Sequence, residues 1–292
     1  MRRRLACLSL VCSLGCSASP PASQFPNGQA AIDRMRGTFE CLRGVRGEAK
    51  LDHMGKQGRI RGGLMFFAVE PANVRFDVVS PFGVTLATLT SDGAAFSFND
   101  LREKKFLEGP ASACNIARLT QVPVPGHALV SLLRGEAPVL VHQPGEATVR
   151  WSGGRYLVGV PSKHGAFEEI ALGIHPDDYK LPWTEQRVRV LGVEVRQQDV
   201  LLYRADLGEH KAIEMAGAMV DDDGIDPPIP PSGPVCTVEI PRKIHVEVPW
   251  TRDDVRFRYD EVKANPPMPE GLFVQPIPGG VERVRVGACS DL

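Results

Sequence analysis

The 292-residue sequence has no apolar run long enough to cross a bilayer as a helix, a net charge of only −1, and few aromatic residues, at 7%. Near-neutrality removes the electrostatic footprint that binding to nucleic acid or to an anionic surface requires. Catalytic signatures are missing as well. There is no G-x-S-x-G to build a nucleophile elbow. Nor is there a glycine loop to cradle a phosphate, since Gly62-Gly63 and Gly153-Gly154 suit hairpin turns. The seven histidines are scattered, with no H-E-x-x-H pair. No C-x-x-C pair or ligand-spaced His accompanies the cysteines. The acidic run from Asp221 lacks the spaced ligands and the closing Glu of a calcium loop. Glu168 and Glu169 are adjacent carboxylates, but neighbours on a strand point to opposite faces and cannot share one substrate. These absences point to a protein that binds and does not catalyse, with no cofactor and no metal.

What is present begins at the N-terminus. Arg2, Arg3 and Arg4 precede a short apolar stretch, Leu5 to Leu14, the pattern of an export signal over residues 1–15. Ser13-Leu14-Gly15-Cys16 resembles a bacterial lipobox, which implies acylation of Cys16; Cys12, preceded by bulky Val11, fits less well. Residues 16–26 then read as a flexible, Pro-broken tether. Among the remaining cysteines, Cys41, Cys114, Cys236 and Cys289, three pairings are possible in an oxidising periplasm. Pairing within each half of the chain, Cys41 with Cys114 and Cys236 with Cys289, is the expectation.

After the tether, Ile32, Met35, Phe39 and Leu42 fall on one face at helical spacing, with Asn27 as cap and Gly44 as stop. From about Val45 the period changes to two. Val74, Phe76 and Val78 alternate with Arg75 and Asp77. Ile244, Val246 and Val248 alternate with His245 and Glu247, and Val255, Phe257 and Tyr259 with Arg256 and Arg258. Val149 and Trp151 flank Arg150 in the same way. Turn chemistry separates such runs at Glu70-Pro71-Ala72-Asn73, Ser91-Asp92-Gly93, Ser152-Gly153-Gly154 and Asp206-Leu207-Gly208. The apolar phase slips between Val190 and Leu191-Gly192-Val193, which predicts a bulge. Leu129, Leu132 and Leu133 mark a short helix entered at Pro125-Gly126 and ended near Gly135; a poorer one spans Ala113 to Leu119. His53, His164 and His210 are expected at exposed strand ends or turns. Asp221 to Pro234 reads as a surface loop between strands of one sheet. Asn265 to Pro278 reads as a Pro-rich stretch before a terminal strand at Val281 to Val286.

Two segments carry a family likeness. Asn73-Val74-Arg75-Phe76-Asp77-Val78-Val79-Ser80-Pro81-Phe82-Gly83-Val84 is a strand running into an apolar turn. Thr120-Gln121-Val122-Pro123-Val124-Pro125-Gly126 steps into a helix ending Leu132-Leu133-Arg134-Gly135. In this order they resemble the outer-membrane lipoprotein receptor LolB and its LolA relatives, from about Arg43 to Gly135 and more loosely from Trp151 to Val262. The resemblance implies a mainly β fold: a curved antiparallel sheet forming an unclosed barrel over residues 27–262, with helices covering its concave face and residues 263–292 as an extension. It implies an apolar cavity for acyl chains of lipids or lipoproteins, with Phe76, Val78, Leu86, Leu129, Leu132 and Leu133 as cavity and lid residues. It places Phe82 on a turn whose exposed apolar residue helps insert cargo into the membrane, and implies a LolA-like carrier as partner. The chain would face the periplasm from the outer membrane, held by its N-terminal lipid. An envelope interaction or sensor protein of the same shape is the alternative.

Overall fold

The computed structural model describes residues 19–56, 58–220 and 227–288. The chain opens with helix α1 (Gly28–Phe39), whose extended residue Asn27 accepts the Ala30 N–H at 2.8 Å on its side-chain oxygen. Ile32, Met35 and Phe39 are buried along one face. Leu42 is also buried but lies beyond the helix, and Gly44 opens the first strand; it does not stop the helix.

Strands β1 (Gly44–Gly55), β2 (Gly58–Val69), β3 (Asn73–Val79), β4 (Thr85–Ser91), β5 (Ala95–Asp100) and β6 (Lys105–Pro110) form an antiparallel meander. Helices α2 (Ala113–Thr120) and α3 (Gly126–Arg134) follow. A second meander is built from β7 (Thr148–Ser152), β8 (Arg155–Pro161), β9 (Ala166–Ile174), β10 (Val188–Gln197) and β11 (Val200–Gly208). The two-residue strands β12 (Lys211–Ala212), β13 (Glu214–Met215) and β14 (Glu239–Ile240) lead to β15 (Lys243–Val248) and β16 (Asp253–Ala264), and β17 (Glu282–Arg285) ends the series. Asp206-Leu207-Gly208 lies within β11, because its residues pair with β15 as far as Gly208; the turn comes one residue later, at left-handed Glu209.

The two meanders meet where β1 pairs with β16, from Val45 opposite Ala264 to Met54 opposite Asp254. The result is a single 15-stranded curved sheet with β7 at one edge and β17 at the other, not closed into a barrel. Bulges interrupt the ladder at Glu48/Ala49, at Val78/Val79 and, where the sequence phase slips, between Val190 and Gly192. Such bulges bend and twist the strands, as a curved sheet requires. Phase-two residues Val74, Phe76, Ile244, Val246, Val255 and Phe257 all face a common core, and Phe66 stacks on Tyr259 with ring centroids 5.0 Å apart.

Helix α3 is fixed to this core by polar bonds. The Tyr259 hydroxyl donates to the Leu133 carbonyl at 2.9 Å. Buried Arg134 donates to the carbonyl of Leu42, pairs with Glu70 at 2.5 Å and lies 3.4 Å from Glu136. Burial pushes the Glu136 carboxyl up, and Arg134 pulls it the other way. Gly135 ends the helix in the left-handed region at φ 86, so close to Pro241 that a Cβ would lie 2.4 Å from it.

The Pro-rich tail is bound to the outer face. Gln275 donates to Thr88 O, Thr90 Oγ1 and Ser97 O at 3.1 to 3.2 Å, and Arg75 donates to Leu272 O. β17 then runs parallel to β6 and covers that edge, with Arg283 and Arg285 on Glu108. Cys41 is bonded to Cys236, with Cα atoms 5.2 Å apart, so the expected within-half pairs do not form. The sheet explains why: Ala264, at the end of β16, lies opposite Val45, and buried Asn265 bonds Arg43 N, Cys41 O and Pro234 O. These bonds hold the two halves of the chain together at this point. Cys114 is also disulfide-bonded; the predicted lipidation site Cys16, its alternative Cys12, and Cys289 lie outside the described residues.

Two stability measurements follow. Replacing Cys41 and Cys236 together by Ser is expected to lower unfolding free energy by about 4 kcal/mol, read from the urea midpoint under oxidising conditions. Arg134→Leu is expected to cost about 3 kcal/mol by the same assay, because Glu136 and the Leu42 carbonyl lose their buried partner. A midpoint unchanged from wild type would remove Arg134 as the anchor of α3.

Candidate functional site

Antiparallel register brings the turns after β1, β3, β5, β8, β10 and β15 to one end of the sheet. Met54 is opposite Asp254, Gly63 opposite Val79, Ala87 opposite Asp100 and Ala166 opposite Gln197. Exposed large apolar residues gather at this rim: Met54, Ile60, Phe82, Val84, Leu101 and Trp250, with Phe167 and Val200 beside them. Single exposed apolar side chains are ordinary, but a gathering on adjacent turns marks a contact surface. Phe82 is 92% exposed and is not folded back onto the core. Its turn is shaped by its own bonds: Ser80 Oγ accepts from Phe82 N and Val84 N, Ser80 O accepts from Gly83 N, and Gly83 sits at φ 78.

Away from the rim, the strand ends lie against α2 and α3. Gly126 approaches Ala72 in the β2–β3 turn and Ile116 of α2, and Arg134 reaches the start of β1. Phe76, Leu129, Leu132 and Leu133 are all buried in the core between sheet and helices, with Val78 packed against it. Leu86 is placed differently: it is the extra residue of the β3–β4 bulge, between the pairs Val78–Ala87 and Val79–Thr85, and is half-buried. The space beneath the helices is filled by the chain's own side chains in this state. A groove of about 750 Å³ lies instead on the outer face. Its walls are Lys50, Asp52, Arg61, Met65 and Val79, which alternate with buried Ala49, Leu51 and Leu64.

Two polar residues lie buried on the inner face, and one of them, His53, departs from the sequence reading. His53 is buried, bonded to Asp253 at 2.8 Å, although a strand-end position suggested exposure; His164 is exposed and His210 half-buried against Val190 O. Glu168 and Glu169 do point to opposite faces. Glu169 pairs with Arg150, whereas Glu168 is wholly buried, accepts from Leu140 N at 2.9 Å and has its other oxygen unbonded. Burial pushes its carboxyl up to about 8, against the pull of the Leu140 bond. The signal was present in the sequence, since Glu168 shares the strand phase of buried Ile170, Leu172 and Ile174. On the outer face His245, Glu247 and Asp254 bring ligand atoms within 4.8 Å of one another, the one metal-compatible group among the described residues. They already engage one another and the guanidinium of Arg256.

Among the described residues no helix is long and apolar enough to cross a membrane. No protein-family model and no curated protein matches the sequence. Solved structures do match. A DUF1329-family protein from Desulfovibrio piger superposes with a TM-score of 0.52 at 9% identity, covering 87% of this chain and 98% of that one. A LolA superfamily protein from Nitrosomonas europaea superposes with a TM-score of 0.50 at 8% identity, covering 85% of this chain and 98% of that one. This chain thus shares the backbone fold of these two proteins, at a sequence distance where only the backbone arrangement is shared.

Proposed function

We propose that the protein is a non-catalytic, lipid-anchored binding protein of the bacterial outer membrane, facing the periplasm, that takes acyl chains of lipids or lipoproteins between its curved sheet and helices. The apolar rim carries this reading. Phe82 stands fully exposed on a self-bonded turn, among Met54, Ile60, Val84, Leu101 and Trp250. Behind the rim, the inner face is almost wholly apolar, and acyl chains would be held there by area removed from water, at about 25 cal/mol per Å². No reacting group is needed for that, in keeping with the missing catalytic motifs. A LolA-like carrier would deliver the cargo to the rim. The filled interior favours a second reading, an envelope interaction or sensor protein that keeps this fold and carries nothing.

Native mass spectrometry of the chain lacking Cys16, recovered from a bacterial periplasm, separates the two. Bound mass matching acyl chains or phospholipid, lost on denaturation, is the expected result. A mass that stays apo after incubation with lipid or acylated peptide would leave the interaction reading in its place. Phe82→Glu is expected to weaken cosedimentation with phospholipid vesicles about tenfold, because the turn then presents a charge where an apolar ring should enter, while the urea midpoint stays that of wild type.

A further inference from the structure

The connection from α3 to β7 contains neither helix nor strand. Ala137 and Pro138 in it are buried, Val139 and Leu140 pack against the core, and Val141 to Glu146 are largely exposed. It reaches the rim, where Val141 O accepts from Lys163 N in the β8–β9 turn. It is held to the inner face from below, because Leu140 N donates to Glu168 Oε2 at 2.9 Å.

Glu168 is enclosed by the neighbouring strands and by the connection. Val160 of β8 and Val195 of β10 are its cross-strand neighbours, and Tyr203 of β11 lies opposite Val195. The connection itself supplies His142, whose ring bonds Leu140 O at 2.8 Å and Gln29 of α1 at 3.1 Å. Lys163 is exposed and contributes its backbone N–H. No cation pairs with the carboxyl among the described residues; burial and the Leu140 bond are the influences acting on it. Burial without a cation favours the neutral form of such a carboxyl; Oε2 accepts from Leu140 N, and Oε1 has no hydrogen-bond partner.

We propose that residues 137–146 are a displaceable strap over the inner face, that neutral Glu168 latches it shut through Leu140, and that deprotonation of Glu168 releases it to open the interior at the rim. The opening rests on the acyl-binding reading; the latch does not. Ionising Glu168 in the closed state leaves an unpaired charge among Val160, Val195 and Tyr203, whereas lifting the strap admits water to it. The sign follows from the raised carboxyl. The closed state holds the proton more tightly than a solvated carboxyl at 4.5, so closure is strongest below that pH. It weakens as pH rises toward about 8 and is constant above that.

Hydrogen exchange of peptides covering 137–146 tests the latch, with rates corrected for intrinsic pH dependence. In the wild-type chain the corrected rate is expected to rise at least about tenfold between pH 5 and pH 9, as the linkage of a buried carboxyl requires. Glu168→Gln keeps an acceptor for Leu140 N without a titrating proton and is expected to abolish the rise. His142→Gln is expected to retain it, which separates the carboxyl from the imidazole. A flat wild-type profile, or an equal rise in Glu168→Gln, would overturn the proposal; the wild-type profile alone decides if a variant does not fold. Uptake of a pyrene-labelled fatty-acid methyl ester, which has no charge to titrate, is read over the same pH range. Uptake that tracks strap release supports opening of the interior. Release without uptake would keep the latch and overturn the acyl-binding reading.

Discussion

The pairing of β1 with β16 is the contact on which the remaining architecture depends. It joins a meander from the first half of the chain to strands from the second half, and it does so in mid-sheet. Without it there are two separate antiparallel sheets, each with one apolar face and an unpaired edge. With it there is one curved surface whose inner face is continuous, so a single set of helices can cover both halves. Cys41–Cys236 and buried Asn265 sit at the end of that seam, where the covalent bridge and the hydrogen bonds tie together the same segments.

An unclosed sheet leaves an inner face that no strand can cover, and this chain covers it unevenly. Away from the rim, α3 is anchored by Arg134 and Tyr259, polar bonds in an otherwise apolar layer. Toward the rim the cover is the irregular connection from α3 to β7, bonded to Glu168, to the Lys163 N–H and, through His142, to Gln29 of α1. The outer face is finished differently: the Pro-rich tail, unable to pair as a strand, lies across β3 to β5 through Gln275 and Arg75, and β17 shields the β6 edge.

Much of the fold was legible because its signals are local. The Asn27 cap, the Pro125-Gly126 entry and Gly135 exit of α3, the β2–β3 and β7–β8 turns and the bulge near Gly192 each depend on a few adjacent residues. Period-two runs identified strands and their buried faces, and Phe82 was legible as a turn residue. Where local signals competed, the structure decided otherwise. Gly44 is as good a helix stop as a strand start, and Asp206-Leu207-Gly208 carries turn residues yet pairs along β15, because the ladder rewards continued pairing.

By itself the sequence determined which residues make helices, which make strands and which face of each strand is apolar, since those follow from spacing along the chain. Only the tertiary structure decided which cysteines meet, that His53 is buried, that Leu86 is a bulge residue, and that the exposed apolar turns share one end. Each of these depends on which distant strands become neighbours. Glu168 marks the boundary between the two: its strand phase predicts an inward side chain, but what an inward carboxyl encounters there is set by a strap that the sequence places nearly thirty residues earlier.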